Sequence, residues 1–458
     1  MKPIPSRYKA PSLFSCLGDM LNTNHPLCKL ASKIDWQMFE DAFAPLYAAN
    51  GRPSKPIRLM VGLLILKHVR NISDESVVEQ WMENPYYQYF CGMDQFTTVQ
   101  PCASSELVHF RHRIGEKGVE LILKESIRVN DDGKPHSGGR GRKPESETTA
   151  FIDSTVQEKN ITFPTDGKIL LKIVEYCHRA AEEAGIRLRQ TYQKEIKGLK
   201  RIMRFRGKVK CKKLVAKADR RLRTLSGRLV RELLRKLPAS SGRHALLDIA
   251  MKFINGEKID GHKIYSLHEP DVVCIAKGKE RVKYEFGNKV SIVRTQNGLI
   301  IGALSFRNEY DGHTIDRSME QVRRLFPNPI RLLVGDRGYR GQSHSGDTKV
   351  IIPDNPKYSD SSYKKRKKHR LFRRRAGIEP VIGHLKSDHR LSRNFYKGLF
   401  GDSINVMLSA AAFNFKRAMR ALFYAFFKIM ELAGSLFIGH RSLVEPFQGT
   451  FARNLCIG

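Results

Sequence analysis

The chain lacks the sequence signatures of several protein classes. Its eight cysteines are scattered and form no C-x2-C pair, so neither a zinc ribbon nor a disulfide framework is predicted and the thiols are expected to be reduced. Residues 1–20 contain no continuous apolar stretch, which argues against a signal peptide. The most apolar window, 421–439, is interrupted by Lys428, Glu431 and Gly434, which argues against a membrane span. We therefore expect a soluble, intracellular protein with no membrane partner.

Acidic residues are also scarce. The 458 residues include 46 Asp and Glu against 81 Lys and Arg, a net charge of +35. This excess is far larger than solubility requires, and it indicates a polyanionic partner, of which nucleic acid is favoured over an anionic membrane surface. With 41% hydrophobic residues, the chain can bury a core in two or three domains.

The N-terminal part is predicted to be helical. Apolar spacing predicts helices over 56–70, 74–83 and 106–114, the last of them broken by Gly115 and Gly118. The pattern fits a small helical bundle and a helix-turn-helix-like DNA-binding module equally well. We divide the chain into an extension (1–35), this helical domain (36–129), a Gly-, Pro- and Ser-rich linker (130–147), a catalytic domain (148–419) and a helical tail (420–458).

The fold class expected for residues 148–419 is α/β. Buried strands are predicted at 148–156, 331–336 and 349–353, a helix at 313–326, and a hairpin of strands 286–294 and 299–305 around Gln296-Asn297-Gly298. This order favours a mixed sheet with helices on its faces. The insertion at about 167–280 is predicted to be mainly helical. Residues 187–236 carry 20 Lys and Arg against 3 acids, and this charge favours a surface that faces nucleic acid over a merely solvated helical hairpin.

One acid lies inside the most basic part of the chain. On a continuous helix, Phe372, Arg375, Glu379 and Lys386 fall within roughly 60° of one another. Ile378, Val381 and Leu385 fall on the opposite side, which can pack inward. Gly377 and Pro380 interrupt the pattern, because either residue can start or kink a helix.

Two further acids follow predicted strands. Asp153 and Asp336 each end an apolar strand, and if the strands are parallel neighbours, both carboxylates emerge at the same edge of the sheet. With Glu379 they would form a trio of hard oxygen ligands suited to Mg²⁺ or Mn²⁺. Each acid also has an ordinary structural interpretation: Asp153 and Asp336 as turn residues, and Glu379 as an ion pair with Arg375.

These motifs together resemble the bacterial insertion-sequence transposases of the DDE class, which have a ribonuclease-H-like core. The resemblance is to the group whose last acid lies in Tyr-x2-Arg-x3-Glu-x6-Lys, written here with Phe372 in place of Tyr. Three other stretches match in the same order: 152–156 with 163–166, 310–314, and 335–339. The resemblance covers roughly 36–416. The phenolic hydroxyl is lost at Phe372, which leaves the processing of the second strand open.

The resemblance implies roles for particular residues. Asp153, Asp336 and Glu379 would be the catalytic, metal-binding triad for two Mg²⁺ ions, with Mn²⁺ as a substitute. The implied DNA contacts are Arg375, Lys386, Arg337, Arg340, Phe372, Lys367 and Lys368. The implied partner is double-stranded DNA, as terminal inverted repeats and as target, bound by a homodimer in the bacterial cytoplasm on the nucleoid.

Other residues and other functions compete with this interpretation. Asp166 is expected to be a turn or N-cap residue, His313 either orients a phosphate or starts a helix, and Asp388 lies on nearly the opposite helical face from Glu379. The rival functions are an inactive transposase that only binds DNA, a metal-dependent nuclease without strand transfer, and a basic RNA-binding protein. The last is disfavoured because no aromatic stacking motif of an RNA module is found.

Overall fold

The computed structural model describes residues 16–48, 50–51, 53–130, 149–276, 283–307, 309–354 and 361–438, with side chains described as far as 422. The predicted linker, apart from Asn130, lies outside these residues, as do 1–15 of the extension and 439–458 of the tail. Within them the chain is a mixed α/β protein: a mixed sheet surrounded by helices.

The N-terminal helices pack around one central helix. In chain order they are α1 (Leu17–Met20), α2 (Pro26–Lys33), α3 (Trp36–Phe43), α4 (Ile57–Arg70), α5 (Asp74–Glu83), α6 (Pro85–Phe90) and α7 (Ser104–Arg128). Twelve of the 14 residues of α4 are buried, as expected for a helix that is apolar nearly all round. The predicted break at Gly115 is confirmed: its φ of +64° and ψ of −170° are not helical, and α7 is kinked there. The predicted break at Gly118 is wrong, because the helix continues through it to Arg128 and the buried Val119, Ile122 and Leu123 still pack inward.

The sheet confirms the predicted hairpin and the mixed topology. Its strands are β1 (Thr149–Lys159), β2 (Val273–Ala276), β3 (Tyr284–Thr295), β4 (Ile300–Phe306), β5 (Leu332–Val334), β6 (His344–Ser345), β7 (Thr348–Ile351) and β8 (Arg393–Asn394). The main path is β2-β3-β1-β5-β7-β6, with β4 on β3 and β8 on β1. β1 is antiparallel to β3 and parallel to β5. The β3–β4 turn places Gly298 at φ +85°, where a residue without Cβ is favoured.

A helical insertion separates β1 from β2. It consists of α8 (Asp166–Glu183), α9 (Gln193–Met203), α10 (Lys212–Lys236) and α11 (His244–Asn255). Its apolar side chains form a hydrophobic cluster of their own, which includes Leu170, Ile173, Leu222 and Leu229. The predicted helical character of this region is confirmed.

The remaining helices cover the sheet and join it to the N-terminal bundle. They are α12 (Ile315–Leu325), α13 (Ser362–Arg375), α14 (Ile378–Asp388) and α15 (Gly398–Ile438). The first half of α15 is buried between the sheet and α4 and α7, so bundle and sheet share one hydrophobic cluster. Among the described helices, none is long and apolar enough to cross a membrane.

A buried carboxylate ties α15 to three strands. Asp402 is fully buried and accepts hydrogen bonds from Asn288 on β3 at 2.6 Å and from Asn394 on β8 at 2.7 Å. The ammonium of Lys159 at the end of β1 lies 2.9 Å from its Oδ1, and Gln157 donates to the same oxygen at 3.1 Å. A buried charge requires such partners, since desolvation would otherwise cost several kcal/mol.

The substitution Asp402→Ala tests this tie. Lys159 would keep Glu269 at 3.3 Å but lose its shorter ion pair, and the three amides of Asn288, Asn394 and Gln157 would each lose a hydrogen bond to the carboxylate. We expect the free energy of unfolding to fall by about 3 kcal/mol or more, measured by urea titration. The control is Glu183→Ala, which removes exposed ion pairs to Arg179 and Arg243 and should cost less than about 1 kcal/mol. Equal losses in the two variants would contradict the assigned role of Asp402.

Candidate active site

Asp153 and Asp336 lie level with each other on adjacent parallel strands. The β1–β5 ladder runs from Thr149↔Leu332 to Phe151↔Val334, and each aspartate follows two residues after the last pair. The expectation that the two strands are parallel neighbours is therefore confirmed. The strand predicted at 148–156 is confirmed, but the acid does not end it: β1 continues past Asp153 to Lys159, because β3 goes on pairing with it.

Asp153 is buried among groups of both charges. Its side chain is 14% exposed, its Oδ1 accepts from the amide of Ser154 at 2.9 Å, and its Oδ2 lies 3.3 Å from Nη1 of Arg375. Burial raises the pKa of Asp153 to about 6; Arg375 lowers this pKa, whereas the carboxylates of Asp336 and Glu379 raise it. The three acids are therefore within electrostatic reach of one another.

Asp336 begins a tight turn after β5. Its Oδ1 accepts from the amide of Gly338 at 2.8 Å, which closes a 3₁₀ turn over Arg337–Tyr339. The ring of Tyr339 is fully buried under the turn. This anchoring leaves the side chains of Arg337 and Arg340 exposed beside the acid.

Glu379 lies at the start of a new helix. The segment 372–386 is not one continuous helix: α13 ends at Arg375, and α14 begins at Ile378 with Gly377 as its N-cap, so the interruption predicted at Gly377 is confirmed. Glu379 is in the first turn of α14, and its side chain is 66% exposed. The inward face is confirmed: Ile378, Val381 and Leu385 are buried.

Arg375 connects two of the three acids. Its Nη1 is 3.3 Å from Oδ2 of Asp153, and its Nη2 is 3.7 Å from Oε1 of Glu379. The guanidinium is 17% exposed, so its charge is only partly screened by water. The positive charge of Arg375 thus partly offsets the repulsion between the carboxylates of Asp153 and Glu379.

The other DNA candidates lie near this site or along α13. Phe372 is half-buried and packs against the cluster of Phe151, Val334 and Ile378, directly beside the strands that carry the acids. Lys367 is exposed on α13, and Lys368 is half-buried there, with Nζ 3.1 Å from Asp354. Lys386 is half-buried on α14.

A fourth carboxylate, which the sequence left without a role, lies beside Asp336. Asp311 accepts from the hydroxyl of Ser154 at 3.0 Å and pairs with Lys289 at 3.1 Å. A Cβ added to Gly338 would lie 3.0 Å from Oδ1 of Asp336 and 3.2 Å from Oδ2 of Asp311. The only sequence signal for Asp311 was its place in the stretch 310–314, which matched the resembled group.

The weaker candidates lie in ordinary structural settings. Asp166 is the first residue of α8 and pairs with Lys263 at 2.8 Å; the N-cap is Thr165, so the N-cap prediction was off by one residue. His313 lies in a 3₁₀ turn before α12, with its ring 5.5 Å from that of Tyr310. Asp388 pairs with His384 and Lys416.

The donor set fits a divalent cation, although its atoms are not gathered around one point. Among the described residues, no group of three His, Cys, Asp or Glu side chains is placed to hold a metal ion. The guanidinium of Arg375 lies between the carboxylates of Asp153 and Glu379 instead. Carboxylate oxygens are nevertheless the ligands that Mg²⁺ and Mn²⁺ prefer.

The raised pKa of Asp153 predicts a pH-dependent cost to stability without divalent ions. Its folded value of about 6 exceeds the ordinary value of 3.8, so its contribution to stability is present below about pH 4 and is lost as the pH rises through about 6. Asp153→Asn removes this titration. In the presence of EDTA and at about pH 7.5, the free energy of unfolding of Asp153→Asn should exceed that of the wild type by about 3 kcal/mol. Thermal unfolding across pH measures the gap, which should close below about pH 4; a gap that is constant with pH would refute the assignment.

Comparisons with known proteins bear on both parts of the chain. Residues 15–113 match the family described as Transposase domain (DUF772), and residues 259–415 match the family described as Transposase DDE domain. The second range contains Asp311, Asp336 and Glu379, whereas Asp153 lies outside both ranges.

One curated relative is the "Uncharacterized protein ORF8 in nfe locus" of Rhizobium meliloti. It is 42% identical over 188 residues, which cover 41% of this chain and 88% of that protein. No solved structure matches the chain. The chain therefore carries two matched transposase domains, one on either side of the helical insertion.

Proposed function

We propose that the protein is the transposase of a bacterial insertion sequence, of the group with the Tyr-x2-Arg-x3-Glu-x6-Lys signature. It binds the terminal inverted repeats of its element, cleaves the DNA at these ends and joins the 3′-hydroxyls to target DNA, in the cytoplasm on the nucleoid. The observation that carries the proposal is the level placement of Asp153 and Asp336 on parallel strands, with Arg375 linking Asp153 to Glu379.

The strand order supports a ribonuclease-H-like core. β1 lies at the centre, antiparallel to β3 on one side and parallel to β5 on the other, with β4 beyond β3 and β7 beyond β5. Asp153 lies on the central strand, Asp336 follows its parallel neighbour and Glu379 comes from a later helix, and this arrangement supports the assignment of the three acids.

Asp153, Asp336 and Glu379 would hold two Mg²⁺ ions, for which Mn²⁺ can substitute. Such ions supply an activated water or 3′-hydroxyl and stabilise the leaving oxygen of the phosphodiester. In this proposal Arg375 partly neutralises the site before DNA arrives. It then turns to a phosphate, since a guanidinium matches a phosphate as well as a carboxylate.

The DNA backbone would follow the cations around the acids. α13 carries Lys or Arg at most of its positions and has no buried residue, which is unusual for a helix unless a partner covers it. Arg337, Arg340 and Lys386 extend this basic surface, and Phe372 offers an aromatic edge. A homodimer would bring two such surfaces to the two element ends.

The helical insertion would provide a second DNA contact. The connection between α9 and α10 exposes Phe205 and Val209 among Arg204, Lys208 and Lys210. The insertion's own hydrophobic cluster holds the helices on either side of this connection together. Cations around exposed apolar side chains fit a nucleic-acid groove.

The triad is tested by cleavage of DNA that carries the gene's own flanking sequences. Asp336→Asn and Glu379→Gln should each lower Mg²⁺-dependent end cleavage by about a thousandfold or more, because transition-state charge is no longer stabilised. Gel-shift affinity for the same DNA should change little. The matched control is Asp388→Asn on α14, which should keep cleavage. Cleavage that survives in Asp336→Asn, or wild-type binding without cleavage in Mg²⁺ or Mn²⁺, would refute the proposal.

The backbone contacts of α13 are tested by salt dependence. Replacing Lys365, Lys367 and Arg370 together by Gln should weaken DNA binding and reduce the slope of log K against log salt by about 2 to 3, since each phosphate contact releases about one counterion. The charge-preserving control exchanges Lys for Arg, and Arg for Lys, at the same three positions and should retain the slope. An unchanged slope in the Gln variant would place the DNA elsewhere.

A further inference from the structure

A recess lies between the N-terminal helices and the segment that joins β8 to α15, away from the three acids. It has a volume of about 680 Å³, within the range of sites that enclose a small ligand. β8 pairs with the far end of β1 at Glu158 and Lys159. The recess is therefore about 20 Å along β1 from Asp153, at about 3.3 Å per residue.

Aromatic rings form the open side of this recess. Phe395 is 58% exposed, and the guanidinium of Arg390 lies 5.5 Å from its ring centre. Phe400 stacks with the exposed His112 at 4.9 Å and an interplanar angle of 16°. The exposed Phe395 ring, with a guanidinium near it, offers an apolar face on which a flat aromatic ring can stack.

The rear of the recess is polar and held in place. Arg111 donates to both oxygens of Asp74 at 2.9 Å, and Lys67 lies 2.8 Å from the same carboxylate. Lys67 also donates to the hydroxyl of Tyr396 at 2.8 Å, and both cations lie over the Tyr396 ring. Burial lowers the pKa of Lys67 to about 7, and Glu75 adds a second carboxylate to the lining, so the charges at the rear largely balance and the remaining cations of the lining are Arg390 and Lys397.

Together the lining presents two cations outside the rear cluster, Arg390 and the exposed Lys397, and one stacking face. These features match the two parts of a nucleotide: phosphate for the cations and base for the aromatic face. A paired duplex does not fit, because its bases are stacked on each other and their faces are hidden. The fit requires a base that has left its helix.

We infer that this recess binds an unpaired nucleotide of DNA, with the base on Phe395 and the phosphate between Arg390 and Lys397. The inference rests on the proposed function in taking DNA as the partner, but not on the three acids. It gives the enzyme a place to hold a strand that is separated from its complement during cleavage and joining.

The test uses the full-length protein with Trp at position 395. Phe395→Trp places an indole on the stacking face, while Trp81 is buried and Trp36 half-buried in the N-terminal helices. Fluorescence of the variant minus that of wild type should be quenched by single-stranded oligo(dT), and much less by a duplex at equal phosphate concentration. Phe395→Ala should raise the Kd for oligo(dT) by about tenfold. Its folding should be unchanged, because the side chain is exposed.

The control variant is Phe96→Ala, which removes a ring that is 46% exposed and does not line the recess; its Kd should equal that of wild type. Absence of quenching, equal quenching by duplex, or an unchanged Kd in Phe395→Ala would each overturn the inference. If the wild type cleaves element ends while the fluorescence of Phe395→Trp is not quenched, the inference about the recess is refuted and the proposed function stands. Quenching in a protein that never cleaves DNA would keep the recess and refute the transposase activity.

Discussion

The architecture depends on one buried carboxylate. Asp402 joins Lys159 of β1, Asn288 of β3 and Asn394 of β8 to the start of α15. Because α15 also packs against α4 and α7, the same contact fixes the N-terminal helices relative to the sheet. A buried ion pair contributes little net stability but much geometric definition when every lone pair has a partner. Here it joins the end of β1, beyond Asp153, to the segment between β8 and α15 that lines the recess.

The candidate active site follows from strand register and helix interruption. Parallel pairing of β1 with β5 brings Asp153 and Asp336 level, and the break between α13 and α14 lets Arg375 turn towards Asp153 while Glu379 starts the next helix. A site that concentrates like charges costs stability when empty, and Arg375 offsets part of that cost. The same residue can exchange a carboxylate for a phosphate, which couples neutralisation of the acids to arrival of the substrate.

Much of the fold could be predicted from local sequence. The Gln296-Asn297-Gly298 turn, the apolar strands before Asp153 and Asp336, and the helices over 74–83 and 313–326 are set by short-range pattern and turn chemistry. The breaks at Gly115 and Gly377 were indicated by their glycines, whereas the continuation of α7 through Gly118 was missed, because it depends on what the flanking side chains pack against. The roles of Asp311 and Asp402 were also missed, since their partners Lys289 and Lys159 are distant in sequence and a lone Asp gives no local signal.

The insertion between β1 and β2 has a consequence for how the chain acquires its structure. Asp153 pairs with Ile292, 139 residues later. The central strand therefore cannot pair with β3 until that part of the chain has been synthesised, and closing so long a loop costs chain entropy. The insertion has its own hydrophobic cluster and can become ordered first, which shortens the effective loop that β1 must close. Until β3 emerges from the ribosome, β1 is an unpaired strand whose first part, 150–152, is apolar. Rapid folding of the insertion thus limits the time in which β1 can pair with another chain.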